Sequence, residues 1–242
     1  MSEEKLLREK GLAFFGSITA SFSHEINNVM AIIGELAGLM EDLLRVADQG
    51  HPPQLERFRG ITERIGTQVK RGEEMTKRLN RFAHTMDDPV KTIDMTHLLV
   101  DLIALSERPR TRRRARLETR FPEETILLVS NPFLLQQAVF SCMELVLAAS
   151  HDNQLLRLIL EKQEGGARIT VAGEDPIVKT DEATLSFLPI ILDELGGKAE
   201  VISTDTGGLS LVLSIPYSIP EDSKNRINNS GKPYVASGKS TV

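Results

Sequence analysis

The sequence predicts an α+β fold: an N-terminal antiparallel helical hairpin that forms a dimeric four-helix bundle, followed by an α/β sandwich. Two observations carry this prediction. Before residue 89, two long stretches place apolar residues every three or four positions, and a Gly-His-Pro-Pro run separates them. After residue 90, shorter stretches alternate between strand-like and helical patterns, as expected of a mixed sheet with helices over one face.

The hairpin is predicted to span residues 1–88. Its first helix runs from about Glu3 to Asp48 and its second from about Gln54 to Met86, with a turn at Gly50-His51-Pro52-Pro53 between them. One hairpin leaves the apolar stripe of each helix only half covered. Pairing two hairpins covers both stripes, so we expect a homodimer.

The sandwich is predicted to span residues 91–216. Its predicted helices are Met95–Leu105, Asn131–Ser150 and Asp181–Leu195, and its predicted strands are Leu117–Phe121, Ile126–Val129, Leu155–Leu160, Ala167–Ala172, Lys198–Ser203 and Leu209–Pro216. Pro189 should kink the last helix or mark its start. We interpret the six arginines between Arg108 and Arg116 as a solvated turn. Residues 217–242 are mostly polar and are predicted to form a disordered tail.

The composition argues against several classes of function. At 242 residues with a formal net charge of −5, the chain is not expected to bind nucleic acid or an anionic membrane. Its single cysteine, Cys142, cannot build a disulfide framework, and no histidine has metal-ligand spacing with a second histidine or a cysteine, so no metal site is expected. No stretch reaches the roughly 18 to 20 apolar residues that cross a bilayer, and no signal peptide is evident. We therefore predict a cytoplasmic protein.

The first helix carries the run Ser23-His24-Glu25-Ile26-Asn27-Asn28 on its polar side. His24 and Asn28 are one helical turn apart and share a face, with Ser17, Ser21 and Ala31 along the same side. These small residues would let a partner approach the imidazole. A lone histidine on a helix is usually a solvated or packed residue, and here its neighbours favour a chemical role.

The run His-Glu-x-x-Asn followed by an apolar helix resembles the phospho-acceptor box of bacterial two-component histidine kinases. Within the second domain, residues 131–137 (Asn-Pro-Phe-Leu-Leu-Gln-Gln) resemble the entry to that family's nucleotide-site helix, and residues 192–201 resemble its closing helix, double glycine and strand. The resemblance covers roughly residues 4–216. It implies a dimerisation and phosphotransfer hairpin followed by an ATPase-type sandwich of the kind shared with gyrases and heat-shock chaperones.

The nucleotide site of that family does not persist in this sequence. Its Mg²⁺-binding asparagine aligns with Leu145, or with Ala148 in another register, and its adenine-reading aspartate aligns with Gly173. The glycine-rich lid is reduced to residues 178–184, which contain no glycine. We therefore expect a degenerate ATPase-like domain, with no ATP and no other cofactor.

The resemblance implies a phosphorelay histidine phosphotransferase, or pseudokinase, that carries phosphate on His24 to or from the aspartate of a response-regulator receiver domain. Glu25 would orient the imidazole or take its proton, and Asn28 would help place a water for dephosphorylation of the partner. The receiver domain would bring its own Mg²⁺. Two alternatives stay open: a histidine kinase or regulator phosphatase with an atypical nucleotide site, and a dimeric scaffold without chemistry.

Overall fold

The computed structural model describes residues 2–52, 54–149, 151–177, 182–203 and 207–230. The chain begins with two long helices, α1 (Glu3–Asp48) and α2 (Leu55–Ala83). The first has the predicted bounds, and the second ends three residues earlier than Met86 because residues 84–87 form a turn. Gly50 in the connection has a φ of +91°, a conformation that costs glycine little and other residues much. The predicted antiparallel hairpin is confirmed.

Apolar residues hold the far half of the hairpin together. Leu36 and Leu43 of α1 pack with Ile61 of α2, supported by half-buried neighbours along both helices. Several large apolar side chains of the hairpin stay exposed in the single chain, namely Met30, Leu39, Leu44, Val46, Leu55 and Val69. The dimeric bundle that would cover such residues stays a prediction.

The described residues after the hairpin form seven strands. They are β1 (Lys91–Asp94), β2 (Arg116–Arg120), β3 (Leu127–Ser130), β4 (Leu155–Gln163), β5 (Gly166–Gly173), β6 (Lys198–Ser203) and β7 (Leu209–Pro216). Five of them form a mixed sheet in the order β2-β4-β5-β7-β6, in which only the β2–β4 pair is parallel. Strand β1 pairs antiparallel with β3. It is missing from the sequence-based prediction because its four residues contain a single apolar side chain, Ile93.

The helices of the sandwich are α3 (Met95–Leu105), α4 (Glu107–Arg112), α5 (Pro132–Ala149), α6 (Glu182–Leu195) and α7 (Glu221–Ser230). Helix α5 is the centre of the core and contacts α3, α6 and the sheet. The expectation that no stretch is long and apolar enough to cross a bilayer is wrong for this helix, the one in the described part of the chain with that length and composition, and 78% of it is buried within the sandwich. The α+β fold class is therefore confirmed, with α5 as its core helix.

Two interpretations of polar segments are wrong. Residues 107–112 form helix α4 rather than a solvated turn. Residues 217–230 are not disordered: Ile219 and Ile227 are buried, and residues 221–230 form α7. Arg226 of α7 donates from Nε to Oε1 of Glu194 at 3.1 Å and from Nη2 to Oδ2 of Asp193 at 3.3 Å. Two isoleucines and these ion pairs are enough to dock a segment whose composition is mostly polar. The rest of the predicted tail lies outside the described residues.

Helix α6 passes through Pro189 without ending or starting there. It ends at Leu195; the next residue, Gly196, has a φ of +66°, and Gly197 donates its N–H to the carbonyl oxygen of Leu192 at 2.8 Å. This left-handed residue closes the helix as the double glycine of the sequence predicts.

An aromatic cluster joins the hairpin to the sandwich. It consists of Phe14 on α1, Phe82 on α2, and Phe133 and Phe140 on α5. The ring centroid of Phe14 lies 5.5 Å from that of Phe82, 5.4 Å from that of Phe133 and 5.1 Å from that of Phe140. Phe14 and Phe82 are both almost fully buried. Edge-on and tilted contacts of this kind stabilise a pair by about 0.5–1.5 kcal/mol beyond the burial of its area.

An ion pair flanks the aromatic cluster. Arg81 of α2 binds the carboxylate of Asp101 on α3 with two hydrogen bonds, of 2.7 Å from Nε and 2.8 Å from Nη2. Arg78 adds a third contact at 3.6 Å. The hydrogen bond to Asp101 raises the pKa of Arg81 above its usual value. A bidentate arginine–carboxylate pair fixes orientation as well as distance, so it sets the angle at which α2 meets the sandwich.

Phe14→Ala should destabilise the protein by about 3–5 kcal/mol, because it removes a buried ring and leaves a cavity among three others. The measurement is the free energy of unfolding in urea. Leu12→Ala is the matched control: it lies on the same helix and is 74% exposed, so its loss should cost within about 0.5 kcal/mol. Equal effects of the two substitutions would contradict the role of the aromatic cluster.

Candidate functional site

The three predicted site residues lie together at the middle of α1. The Nδ1 atom of His24 is 3.3 Å from the side-chain amide nitrogen of Asn28 and 3.8 Å from Oε1 of Glu25. The imidazole side chain is 56% exposed. Both polar neighbours therefore meet one nitrogen of the ring, on a side chain that is otherwise open to solvent.

Arg71 on α2 completes this group and was not predicted from the sequence. Its Nη2 atom donates to Oε2 of Glu25 at 2.7 Å, and the Glu25 side chain is only 15% exposed. Because Arg71 is itself 46% exposed, water screens the pair and its stabilisation is at most about 1 kcal/mol. Its main effect is positional, since one carboxylate oxygen is held by Arg71 while the other is left near His24. The contact between Arg71 and Glu25 depends on the register between α1 and α2, which the sequence alone does not give.

Glu25 and Asn28 act in opposite ways on the proton of the His24 ring. Oε1 of Glu25, at 3.8 Å, is beyond hydrogen-bond distance of Nδ1, and its negative charge favours a proton there. The amide nitrogen of Asn28, a donor, faces the same atom at 3.3 Å and favours a lone pair on it; the amide oxygen would face Nδ1 only after a half-turn of that side chain. In the tautomer with the proton on Nδ1, the lone pair of Nε2 is free on the exposed side chain. A neutral imidazole with a free lone pair is a nucleophile.

The small-residue side of α1 is not entirely free. Ser21, one turn before His24, is buried, and its hydroxyl oxygen accepts a hydrogen bond from the backbone N–H of Arg108 at 3.3 Å. Arg108 lies in the first turn of α4, where backbone N–H groups lack a partner within the helix. The serine therefore caps a helix of the other domain. The sandwich therefore covers part of the side of α1 at which the sequence analysis expects a partner to approach.

The face of α5 that the resemblance assigns to a nucleotide lines a cavity of about 260 Å³. Leu145 and Ala148, the two positions aligned with the missing asparagine, both line it, beside Arg112 and Arg113. Leucine and alanine side chains offer no oxygen to Mg²⁺, which binds oxygen ligands. Of the remaining lid segment, residues 178–181 lie outside the described part of the chain and α6 begins at Glu182.

Val146 and Gln154 fill the space around Gly173, the residue aligned with the adenine-reading aspartate of the family. A Cβ atom on Gly173 would lie 2.7 Å from Cγ1 of Val146 and 3.1 Å from Oε1 of Gln154. Gln154 is buried and donates to the carbonyl oxygens of Val146 and Leu147 at 3.3 and 3.2 Å, near the end of α5. A carboxylate side chain at residue 173 would have to displace this packed amide. The residues present therefore do not fit Mg-ATP as that family binds it.

Cys142 is the one cysteine of the chain and lies buried on α5. Burial in apolar surroundings raises the pKa of its thiol well above the usual range. A thiol of this kind is not a nucleophile at neutral pH. In the described part of the chain, no group of three His, Cys, Asp or Glu residues could hold a metal ion.

No family model matches the chain. Two curated proteins do: the C4-dicarboxylate transport sensor protein DctB of Rhizobium meliloti (strain 1021) is 24% identical over 224 residues, which cover 88% of this chain and 35% of that protein. The C4-dicarboxylate transport sensor protein DctS of Rhodobacter capsulatus is 21% identical over 228 residues, which cover 90% of this chain and 32% of that protein. The chain thus spans about a third of the length of these relatives.

Solved structures with a similar fold are histidine kinases. The catalytic domain of histidine kinase ThkA gives a TM-score of 0.48 at 16% identity, covering 54% of this chain and 99% of that one. ThkA in complex with response regulator protein TrrA gives 0.45 at 18% identity, covering 89% of this chain and 65% of that one. The resemblance of the chain to the core of two-component histidine kinases is confirmed.

We predict that neutral His24 carries its proton mainly on Nδ1, opposite to the preference of free imidazole, because the Glu25 carboxylate lies 3.8 Å from that atom and the Asn28 amide can turn its oxygen toward it. Nitrogen-15 NMR of the ring distinguishes the two tautomers. Asn28→Ala should shift the population toward Nε2–H, whereas Asn27→Ala, at an exposed neighbouring residue, should not. A wild-type ring protonated mainly on Nε2 would contradict this assignment.

Proposed function

We propose that this chain is a histidine phosphotransferase, which accepts and donates phosphate at His24 in exchange with the aspartate of a response-regulator receiver domain, without using ATP. The observation that carries the proposal is the exposed imidazole of His24 with Glu25 and Asn28 at one ring nitrogen. A second observation supports it: the positions aligned with the family's Mg²⁺-binding asparagine and adenine-reading aspartate hold Leu145 and Gly173. The residues that phosphotransfer needs are therefore present, whereas those that bind Mg-ATP are not.

In the transfer, the lone pair of Nε2 attacks the phosphorus of the partner's aspartyl phosphate. An N–P bond forms, the O–P bond breaks, and its electron pair returns to the aspartate carboxylate. The proton on Nδ1 stays on the ring, and Glu25 stabilises the positive charge that develops there. The reverse sequence of bonds returns the phosphate to an aspartate. The receiver domain supplies its own Mg²⁺, so the chain needs no metal ligand for this reaction.

The partner and the assembly form part of the proposal. A receiver domain would approach the exposed side of α1 that carries His24. The exposed apolar side chains of the hairpin, such as Met30 and Leu39, support a homodimer through a four-helix bundle. The solved complex of ThkA with response regulator protein TrrA is a precedent for the kind of partner.

One observation favours a second candidate, a histidine kinase or regulator phosphatase with an atypical nucleotide site. The cavity beside Leu145 is lined by Arg112 and Arg113, and guanidinium groups bind phosphate. Its volume of about 260 Å³ lies below the roughly 300–1,000 Å³ of most small-molecule sites, which favours the phosphotransferase. A scaffold that only binds a regulator would not need Glu25 and Asn28 at the ring.

Label should pass to His24 from receiver domains of the source organism that have been charged with labelled acetyl phosphate. The chain should become labelled as wild type and as His51→Ala, which removes an exposed histidine in the hairpin turn. His24→Ala should stay unlabelled, because the attacking nitrogen is gone. Label on the His24→Ala variant, or no label on the wild type from any receiver domain, would contradict the proposal.

A further inference from the structure

Helix α4 and the turn after it concentrate positive charge on the outside of the sandwich. Arg110 is turned inward, where it donates from Nη2 to the carbonyl oxygen of Ile103 at 3.2 Å, and burial lowers its pKa. Arg113 pairs with Asp152 at 3.2 Å. In the part of the chain that the structure describes, the exposed Arg108, Arg112 and Arg114 make no salt bridge; these three form what we call the α4 surface.

The helix that carries the α4 surface is joined to α1 one helical turn before His24. The N–H of Arg108 is hydrogen-bonded to Ser21, and Ser21 is one helical turn from His24. Residues four apart on a helix share a face, so Arg108 and Arg112 lie on one side of α4. Arg110 anchors the same helix through Ile103. The position of these charges relative to His24 is therefore set by hydrogen bonds and packing.

We propose that the α4 surface is a second docking site for the receiver domain that exchanges phosphate with His24, and that it binds the acidic rim around the partner's phosphorylated aspartate. This inference rests on the proposed function. An aspartyl phosphate and its neighbouring carboxylates are negatively charged, and arginine is the side chain best suited to both groups. Unpaired arginines near the point of transfer also accelerate the approach of an acidic partner.

The net negative charge of the chain and the small size of the α4 surface favour a protein partner over a nucleic acid. The net charge is −5, and the α4 surface is confined to one short helix and its turn. Nucleic acid is bound along a longer basic stripe that follows many phosphates. An acidic protein rim near His24 needs only the few arginines that lie there.

The test compares Arg108→Ala/Arg112→Ala with Arg8→Ala/Arg120→Ala. The control pair removes the same charge from exposed residues on α1 and β2, outside the α4 surface. Every receiver domain of the source organism is used as a probe, and its association rate and dissociation constant with the full chain are measured at about 0.05 M and about 0.5 M salt. A DNA duplex serves as a competing polyanion.

The first variant should bind its receiver domain roughly tenfold more weakly at low salt, mainly through slower association, and the difference should shrink at high salt. The control should stay within about twofold of wild type, and DNA should not compete. The inference would be overturned if both variants bound the receiver domain equally well, or if the first variant lost affinity for DNA but not for the receiver domain. It would also be overturned if no receiver domain bound the wild type. If docking weakens as expected but His24 takes no label, the α4 surface stands and the proposed phosphotransfer fails.

Discussion

The packing of Phe14 and Phe82 against Phe133 and Phe140 is the contact on which the arrangement of the two domains depends. It buries rings from both hairpin helices against the core helix of the sandwich, so the hairpin and the sandwich share one continuous hydrophobic core. The bidentate pair of Arg81 with Asp101 fixes the orientation at the edge of that core. Separating the domains would expose these rings together, at a cost of several kcal/mol for each one.

This shared core decides what lies near His24. Because α1 is docked along its first third, Ser21 meets the start of α4, one helical turn before His24. The cavity beside Leu145 and Ala148 is lined by Arg112, at the far end of the same short helix. A kinase has to bring bound nucleotide to its histidine. In this chain, the element held beside the histidine is a basic helix that suits an acidic partner.

Local patterns were sufficient for most of the fold. The bounds of α1 and α3 follow from apolar periodicity, and His24 with Asn28 follows from helical spacing alone. Three features depend on distant contacts and could not be read in this way. Arg71 reaches Glu25 only because of the register between α1 and α2. Strand β1 is ordered by its pairing with β3, and α7 by docking on α6. Each of these segments is too polar or too short to show its structure in its own residues.

Gly173 is the residue at which the proposed loss of nucleotide binding can be followed from sequence to structure. The sequence aligns Gly173 with the adenine-reading aspartate, and the structure fills the space around that glycine with Val146 and Gln154. The most direct test is incubation of the purified chain with Mg-ATP labelled at the γ-phosphate, beside a His24→Ala control. We expect no label on either protein, because a chain that does not bind Mg-ATP cannot phosphorylate His24 from it. Label on the wild type alone would contradict it and would identify the chain as a kinase with an atypical nucleotide site.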